Sequence, residues 1–500
     1  MALLIFNGAT LGRVPAWLND DDGAYASAGY QFWRTGEPGI PGYRDVAGFE
    51  RHVWSFGRVG AAVQGVAMRF AGVSAFTALL PSFLAGIGLV LVTAELGAVL
   101  WGAATGRLAA LLLAASGKFF LACHGARPDL LLAFCFITAL WLAASAPAGE
   151  PERRLLLAGL VMGIACDVHL NGFLLAPVPL FFWLLLRAEE TRVRWRAAVV
   201  FIGAGVLCAF FWLLIHYWSH PAEFRFQAGI DVEGLRVTQL GVLGALKAEI
   251  KRYTDWFWAA RGHRHMLEGL LVLGGLVWTL KREGRTGRAL AGAWGLIFLI
   301  GAALMNNPFG WYLIFVWPLF AVWMARALVA FPARRIAQSA LALLLAAYLV
   351  NLGLWHFKAS KEIPQSARLI ELRRLIPANV PVLANGALWF AFWDRDYTDD
   401  YYLTLRALTA ATRPPSEPTG WGAEQRRRGW RYIVAYGYLR RMLDAEVPLS
   451  EMLSDPIWGN RKEEVEQARS FALEHCSVIH RIPGWADTIL VLRVNDATGD

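Results

Sequence analysis

Three adjacent carboxylates, Asp20, Asp21 and Asp22, head the run Asn19-Asp20-Asp21-Asp22-Gly23-Ala24-Tyr25-Ala26. Acids this close repel one another, which raises a carboxyl pKa toward the range useful to a general base. A capped, solvated turn uses the same residue types. Further along come Glu50-Arg51-His52 and Arg58, then Ala126-Arg127-Pro128-Asp129, then Asp167-Val168-His169-Leu170-Asn171. Each group mixes an acid with a cation or an imidazole, the types that take a proton from a hydroxyl or hold a phosphate. The sequence has no Walker loop, dinucleotide fingerprint, HExxH or nucleophile elbow.

The elements that must position these residues belong to a membrane. Of 500 residues, 56% are hydrophobic and only 17% charged, with a mean hydropathy of +0.40. A soluble domain is about a quarter charged. Residues 71–94, 130–149 and 336–355 carry no charge at all, and about 20 such residues cross ~30 Å of hydrocarbon as a helix. The 23 Trp and 13 Tyr suit two membrane interfaces. Spans are predicted near 71–99, 107–124, 129–146, 154–168, 171–187, 197–218, 266–280, 289–305, 311–328 and 336–356, with a break at Asn306-Asn307-Pro308-Phe309-Gly310.

The net charge of +9 is distributed unevenly. Arg187, Arg192, Arg194 and Arg196 fill one short loop, Lys281, Arg282, Arg285 and Arg288 a second, Arg334 and Arg335 a third. Cationic loops stay in the cytoplasm, so this pattern argues for topology and against nucleic-acid binding. Residues 7–70, 122–129, 168–172, 219–265 and 306–310, and everything after about 357, then lie outside. The chain must reach the outer side before Asn19: either it begins outside, or Leu3-Leu4-Ile5-Phe6 is the remnant of a shortened first helix, the reading favoured here. Glu95 and Lys118 are expected to snorkel, and Arg426-Arg427-Arg428 to form a solvated face. The five cysteines show no metal or redox spacing.

The tail differs in kind. β-like runs at Val380–Leu383, Tyr432–Ala435 and Thr488–Leu492 alternate with helical stretches near 363–376 and 461–474. The expected fold is therefore mostly α: a polytopic transmembrane helix bundle of about 10–11 spans with a small C-terminal α/β domain. Residues 1–357 form the membrane domain, with a first periplasmic loop at 7–70 that carries the chemistry, and 358–500 the periplasmic domain.

The order of the polar motifs resembles that of the membrane glycosyltransferases of the C superfamily. The likeness is to the bacterial family-39-like enzymes related to lipid A aminoarabinose transferases and protein O-mannosyltransferases. Asp21-Asp22-Gly23-Ala24-Tyr25-Ala26 is similar to their Asp-Glu-x-x-Tyr-Ala stretch, and Phe49-Glu50-Arg51-His52-Val53 to an altered Phe-Glu-Lys-Pro-Pro. Leu80-Pro81-Ser82, Ala126-Arg127-Pro128-Asp129-Leu130-Leu131, His169-Leu170-Asn171-Gly172 and Trp311-Tyr312-Leu313 through Pro318-Leu319 follow in the family's order. Asp22 replaces a glutamate, Arg51 a lysine, and His169 and Asn171 stand where relatives have lysine, so no sugar specificity carries over.

The resemblance implies an inverting transfer of a sugar from a polyprenyl-phosphate donor to a lipid, glycan or protein acceptor at the periplasmic face of a bacterial inner membrane. Asp21 is then the expected base, with Asp22 and Asp129 in support. Arg51, His52, Arg58, Arg127, His169, Asn171 and Tyr312 are expected around the donor phosphate and sugar. No particular cofactor is implied, and Glu50 with His52, or with His263 and His265, is a candidate set for a divalent cation. Two other readings stay open: a transporter or flippase of a lipid-linked sugar, and a non-catalytic envelope assembly protein.

Overall fold

A computed structural model describes residues 2–11, 20–187, 191–230, 241–259, 265–304, 310–361, 365–408, 420–450, 462–483 and 487–495. The break expected at residues 306–309 and His263 lie outside the described residues. Each predicted span falls on described helix. Ala75–Trp101, Thr191–Trp218, Gly284–Ala303 and Arg334–Phe357 are each long and apolar enough to cross a bilayer, and Ala103–Ala115 with Gly117–Cys123 forms a fifth candidate bent by 62°. Asp129–Ala144, Asn171–Leu186 and Trp317–Ala330 are shorter apolar helices packed among them.

Local chemistry fixes where these helices start and stop. Ser74 and Thr77 form a reciprocal cap at the start of Ala75–Trp101: the Thr77 amide donates to Ser74 Oγ at 3.2 Å and the Ser74 amide to Thr77 Oγ1 at 3.0 Å. The bend in the fifth span falls at Ser116, whose Oγ accepts from the Phe119 amide at 3.2 Å and so begins a new helix. That turn carries Lys118 into the interior, where it is only 2% exposed. It does not snorkel, whereas Glu95 is exposed as expected.

The bundle has two chemically distinct ends. At one, Arg187 Nη2 donates to the carbonyls of Ala144 and Ala146 at 3.0 and 2.9 Å, closing the C-terminus of Asp129–Ala144. Arg285 Nε donates to Leu185 O at 3.0 Å nearby. At the other end, about 22 Å away along the same helix at ~1.5 Å per residue, stand Arg127 and Asp129.

The tail holds a five-stranded mixed sheet of order β2-β1-β3-β5-β4. β1 (Val382–Ala384) pairs in parallel with β2 (Tyr397–Asp399) and β3 (Tyr432–Ala435), placing Val382 opposite Tyr397 and Tyr432. β4 (Cys476–Ile482) and β5 (Ile489–Val494) add antiparallel strands, with Ile433 opposite Leu492. β1, β3 and β5 fall on the three predicted runs. β2 is Tyr-Thr-Asp and β4 is an edge strand whose Val478 is 51% exposed, so neither reads as an apolar run in the sequence.

The sheet shares its core with the first polar loop. Ala24, Ala28, Ile40, Tyr43, Val46 and Val53 belong to one apolar cluster with Leu383, Tyr402, Ile433 and Leu492. A Cβ on Gly23 would lie 1.8 Å from the Gly386 carbonyl oxygen, so the helix Asp20–Thr35 touches the tail backbone directly. Arg427 pairs with Asp45 at 3.3 Å, and Arg428, packed 4.5 Å over the Tyr402 ring, donates to Arg44 O. Arg426 and Arg427 are exposed as expected, but Arg427 and Arg428 also fasten the tail to the loop.

Candidate active site

Three separated stretches meet at the Arg127 end of the bundle: the start of the helix Asp20–Thr35, the turn His124–Asp129, and the turn Asp167–Asn171. Asp22, 1% exposed, accepts a hydrogen bond from the Ala126 amide at 2.7 Å. Gln64 Nε2 donates to Ala126 O, and Ser82 Oγ donates to Arg127 O at 2.9 Å. The turn is therefore held from the loop helix and from two further helices, and its one long side chain is fixed in direction.

Arg127 joins two carboxylates. Its Nε donates to Asp129 Oδ2 at 2.7 Å, and an Nη donates to Asp21 Oδ2. Its guanidinium carbon lies 5.9 Å from the Tyr25 ring centre and 6.0 Å from that of Tyr312, so two aromatic faces enclose the cation. Burial alone would lower the Arg127 pKa; the Asp129 and Asp21 carboxylates outweigh it and hold the group firmly charged. Burial likewise keeps the Tyr25 hydroxyl protonated. Asp129 is buried and Asp21 is 56% exposed, so one acid anchors the arginine while the other meets the medium.

Two polar atoms here lack partners among the described residues: Asp129 Oδ1 and Asn171 Nδ2, both buried. Asn171 lines a small cavity of about 30 Å³ with Glu249, Arg252, Tyr253, Gly301 and Tyr312. Arg252 pairs with Glu249 at 2.9 Å. Burial pushes the Glu249 carboxyl up to about 7, against the pull of Arg252. Lys118 lies within electrostatic reach of Asp129, Arg127 and Arg252, with its Nζ 4.7 Å over the Trp256 ring. Lys118, Glu249 and Arg252 carry no motif; a charge inside an apolar run could have flagged Lys118, while Glu249 and Arg252 sit among other charged residues and had no such signal. His169 Nδ1 accepts from the Asn171 amide at 3.1 Å, and its ring lies 6.4 Å from Tyr25.

The remaining expected residues sit in other groups. Arg51, 68% exposed, pairs with Glu223 at 3.0 Å and Glu50 at 3.4 Å. His52 and Arg58 converge on Glu37, which no motif marks. Glu37 Oε2 lies 3.0 Å from His52 Nδ1, and Oε1 accepts from Arg58. The acid facing His52 is thus Glu37 and not Glu50. His52 Nε2 lies 3.0 Å from His216 Nδ1, and His216 Nε2 lies 2.8 Å from Asp167 Oδ1. Burial, with His216, His220 and Arg58 nearby, pushes the His52 pKa down to about 2. Asp167 also accepts from the amides of Arg58 and Val59 at 3.3 and 3.2 Å, starting the helix Arg58–Ala71 from a distant stretch. His265 belongs elsewhere: its Nδ1 lies 3.0 Å from Glu268 Oε2, beside Trp256.

Residues 58–218 match the family model described as dolichyl-phosphate-mannose-protein mannosyltransferase. The fold matches ArnT from Cupriavidus metallidurans bound to undecaprenyl phosphate, with a TM-score of 0.64 at 13% identity over 100% of this chain and 98% of that one. It also matches the oligosaccharyltransferase AglB from Archaeoglobus fulgidus in complex with an inhibitory peptide and a dolichol-phosphate, with a TM-score of 0.54 at 13% identity over 90% and 72% of the two chains. A form of the Archaeoglobus fulgidus oligosaccharyltransferase with Zn and sulfate gives 0.58 at 15% identity, over 98% and 72%. No curated protein matches by sequence.

Proposed function

We propose that this chain, which has the fold of the C-superfamily membrane glycosyltransferases and is related to ArnT and the protein mannosyltransferases, moves a sugar from a polyprenyl-phosphate-linked donor to an acceptor hydroxyl. The reaction takes place at the periplasmic face of an inner membrane, by a single inverting displacement. Relatives described as holding undecaprenyl phosphate or dolichol-phosphate support the donor class, and a relative tethered to an acceptor peptide supports a glycan or protein acceptor as one option.

One observation carries the reading: the partly exposed carboxylate of Asp21 is held by an arginine otherwise buried with Asp129. A lipid phosphate arriving at this end competes with Asp21 for the Arg127 guanidinium, which suits phosphate oxygens. Donor binding thereby releases Asp21 as a base. Asp21 takes the proton of the acceptor hydroxyl as its oxygen bonds to the anomeric carbon. The bond from that carbon to the phosphate oxygen breaks, and the lipid phosphate leaves with the electron pair, stabilised by Arg127 and Arg252. Arg127 occupies the position between Asp21 and Asp129 that a divalent cation would need, so the step uses the chain's own cation.

The test is transfer of a labelled sugar from a polyprenyl-phosphate donor by purified protein. Asp21→Asn keeps the fold and donor binding while turnover falls by ~10²-fold or more. A well-folded Asp21→Asn protein with near-wild-type transfer would overturn the assignment and favour lipid-linked sugar transport.

A further inference from the structure

Glu249 is a buried acid to which the transfer step above gives no task, although it lines the same cavity as Arg252. Its side chain is 2% exposed and that of Arg252 6%, and the two meet at 2.9 Å between Oε2 and Nη2. They are the charged residues of a wall otherwise built from apolar residues, Tyr253, Tyr312 and Asn171. Gly301 leaves room for the carboxyl, since a Cβ there would lie 3.1 Å from Glu249 Oε1. Asn171 Nδ2, buried in this wall without a partner among the described residues, is a donor that needs an acceptor.

A sugar linked to a polyprenyl phosphate is a phosphodiester with one negative charge, whereas the lipid phosphate released is a monoester that carries up to two. A donor that binds Arg252 displaces Glu249 from its cation. The carboxylate is then buried beside an anion, and burial and like charge both favour its protonated form. When the bond to the anomeric carbon breaks, further negative charge develops on the phosphate within this wall. A neutral carboxyl at that place meets it with a proton.

Resting on the transfer reaction proposed above, we infer that Glu249 is its general acid, taking up a proton as the donor binds and passing it to the phosphate as the sugar leaves. The bond between the anomeric carbon and the phosphate oxygen breaks, and its electron pair stays with the phosphate. The Glu249 proton moves to a phosphate oxygen, so the lipid hydrogen phosphate departs with one negative charge. Glu249, again a carboxylate, re-forms its pair with Arg252. Asp21 yields the acceptor's proton to the medium, and the medium returns one to Glu249 when the next donor binds.

Arg252 is the cation that acts on Glu249. Tyr253 and Tyr312 are the other titratable groups of the cavity, and Lys118 acts on Arg252. In the free protein burial pushes the Glu249 carboxyl up to about 7. Donor binding therefore takes up most of a proton above that pH and little below it.

The experiment is calorimetric titration of the full chain in detergent micelles with the methyl diester of undecaprenyl phosphate, which has the single charge of the donor. Heats in two buffers of different ionisation enthalpy give the protons taken up per ligand bound. About one proton is expected at pH 8 and about a tenth of one at pH 6, from a free carboxyl titrating near 7. Glu249→Gln removes the uptake without weakening binding at pH 8, and lowers kcat for sugar transfer by ~10²-fold. Asp21→Asn keeps the uptake and loses transfer, so the two assignments fail separately. Wild-type binding without proton uptake at pH 8 overturns the proposal, and so does a Glu249→Gln protein that keeps the uptake or the wild-type kcat. A diester that the wild-type chain does not bind would overturn the donor reading itself.

Discussion

Asp22 and Ala126 are joined by a 2.7 Å hydrogen bond from the Ala126 amide to the buried carboxylate, across 104 positions of sequence. This bond makes Asp22 a positioning residue: it fixes the turn that presents Arg127, while its neighbour Asp21 stays exposed to the medium.

Substitutions at Asp22 should therefore divide by acceptor capacity and not by charge. Asp22→Asn keeps an oxygen for the Ala126 amide and should retain most activity. Asp22→Ala leaves a buried amide unpaired, costing about 1–3 kcal/mol, and should lower the melting temperature and transfer together. Equal behaviour of the two variants in thermal melts would show that the bond does not hold the turn.

Arg127→Lys tests the forked geometry. A lysine keeps the charge but cannot span Asp21 and Asp129 with separate donors. Loss of a charged hydrogen bond worth roughly 1.5–3 kcal/mol corresponds to about one to two decades in rate constant at ~1.4 kcal/mol per decade. kcat/KM for the donor is the readout, and Arg127→Lys at wild-type efficiency would mean that charge alone suffices.

Binding of the lipid phosphate should weaken as pH rises through about 7, where Glu249 ionises and sets its charge against Arg252. The sign also extends to folding. Glu249 has a raised pKa, so the folded state binds more protons than the unfolded one, and its contribution to stability declines as pH rises above the usual carboxylate range toward 7. Glu249→Gln should bind the donor more tightly at pH 8 and flatten the pH profile. Equilibrium binding of undecaprenyl phosphate at pH 6 and 8 checks both points, and an unchanged slope in Glu249→Gln would remove this residue from the cavity's pH response.

Gly23→Ala should separate the tail from the loop helix. The new Cβ would fall 1.8 Å from Gly386 O, a backbone atom that cannot simply rotate away. Overpacking of this kind costs about 1–3 kcal/mol. Faster proteolysis of the tail in Gly23→Ala than in wild type is the expected result, and identical digestion rates would show that the contact yields without cost.

The bundle, the alternating tail and the meeting of Asp21, Arg127 and Asp129 were legible because each has a local signature: an uncharged span, a β-like run, or acids beside arginine at a helix start. Lys118 was misread because its direction depends on the bend at Ser116, and composition reports only that a lysine lies in an apolar run. Glu37, His216 and His220 went unnoticed because their shared geometry arises from pairing residues up to 183 positions apart, which no spacing rule encodes. The fastening by Arg427 and Arg428 was hidden for the same reason, since Asp45 and the Arg44 carbonyl that receive them lie some 380 residues earlier.

The core that the tail sheet shares with residues 24–53 imposes an order on biogenesis. Chains are made from the N-terminus, so the loop carrying Asp21 is made first and its packing partner last. Until strand β5 has joined the sheet, the apolar face of that loop has nothing to close upon, and Gly23 has no carbonyl to rest against. The nascent protein then carries Asp21 in an unfinished wall through the insertion of every later span, and a chain that stops before residue 489 lacks the strand on which that wall closes.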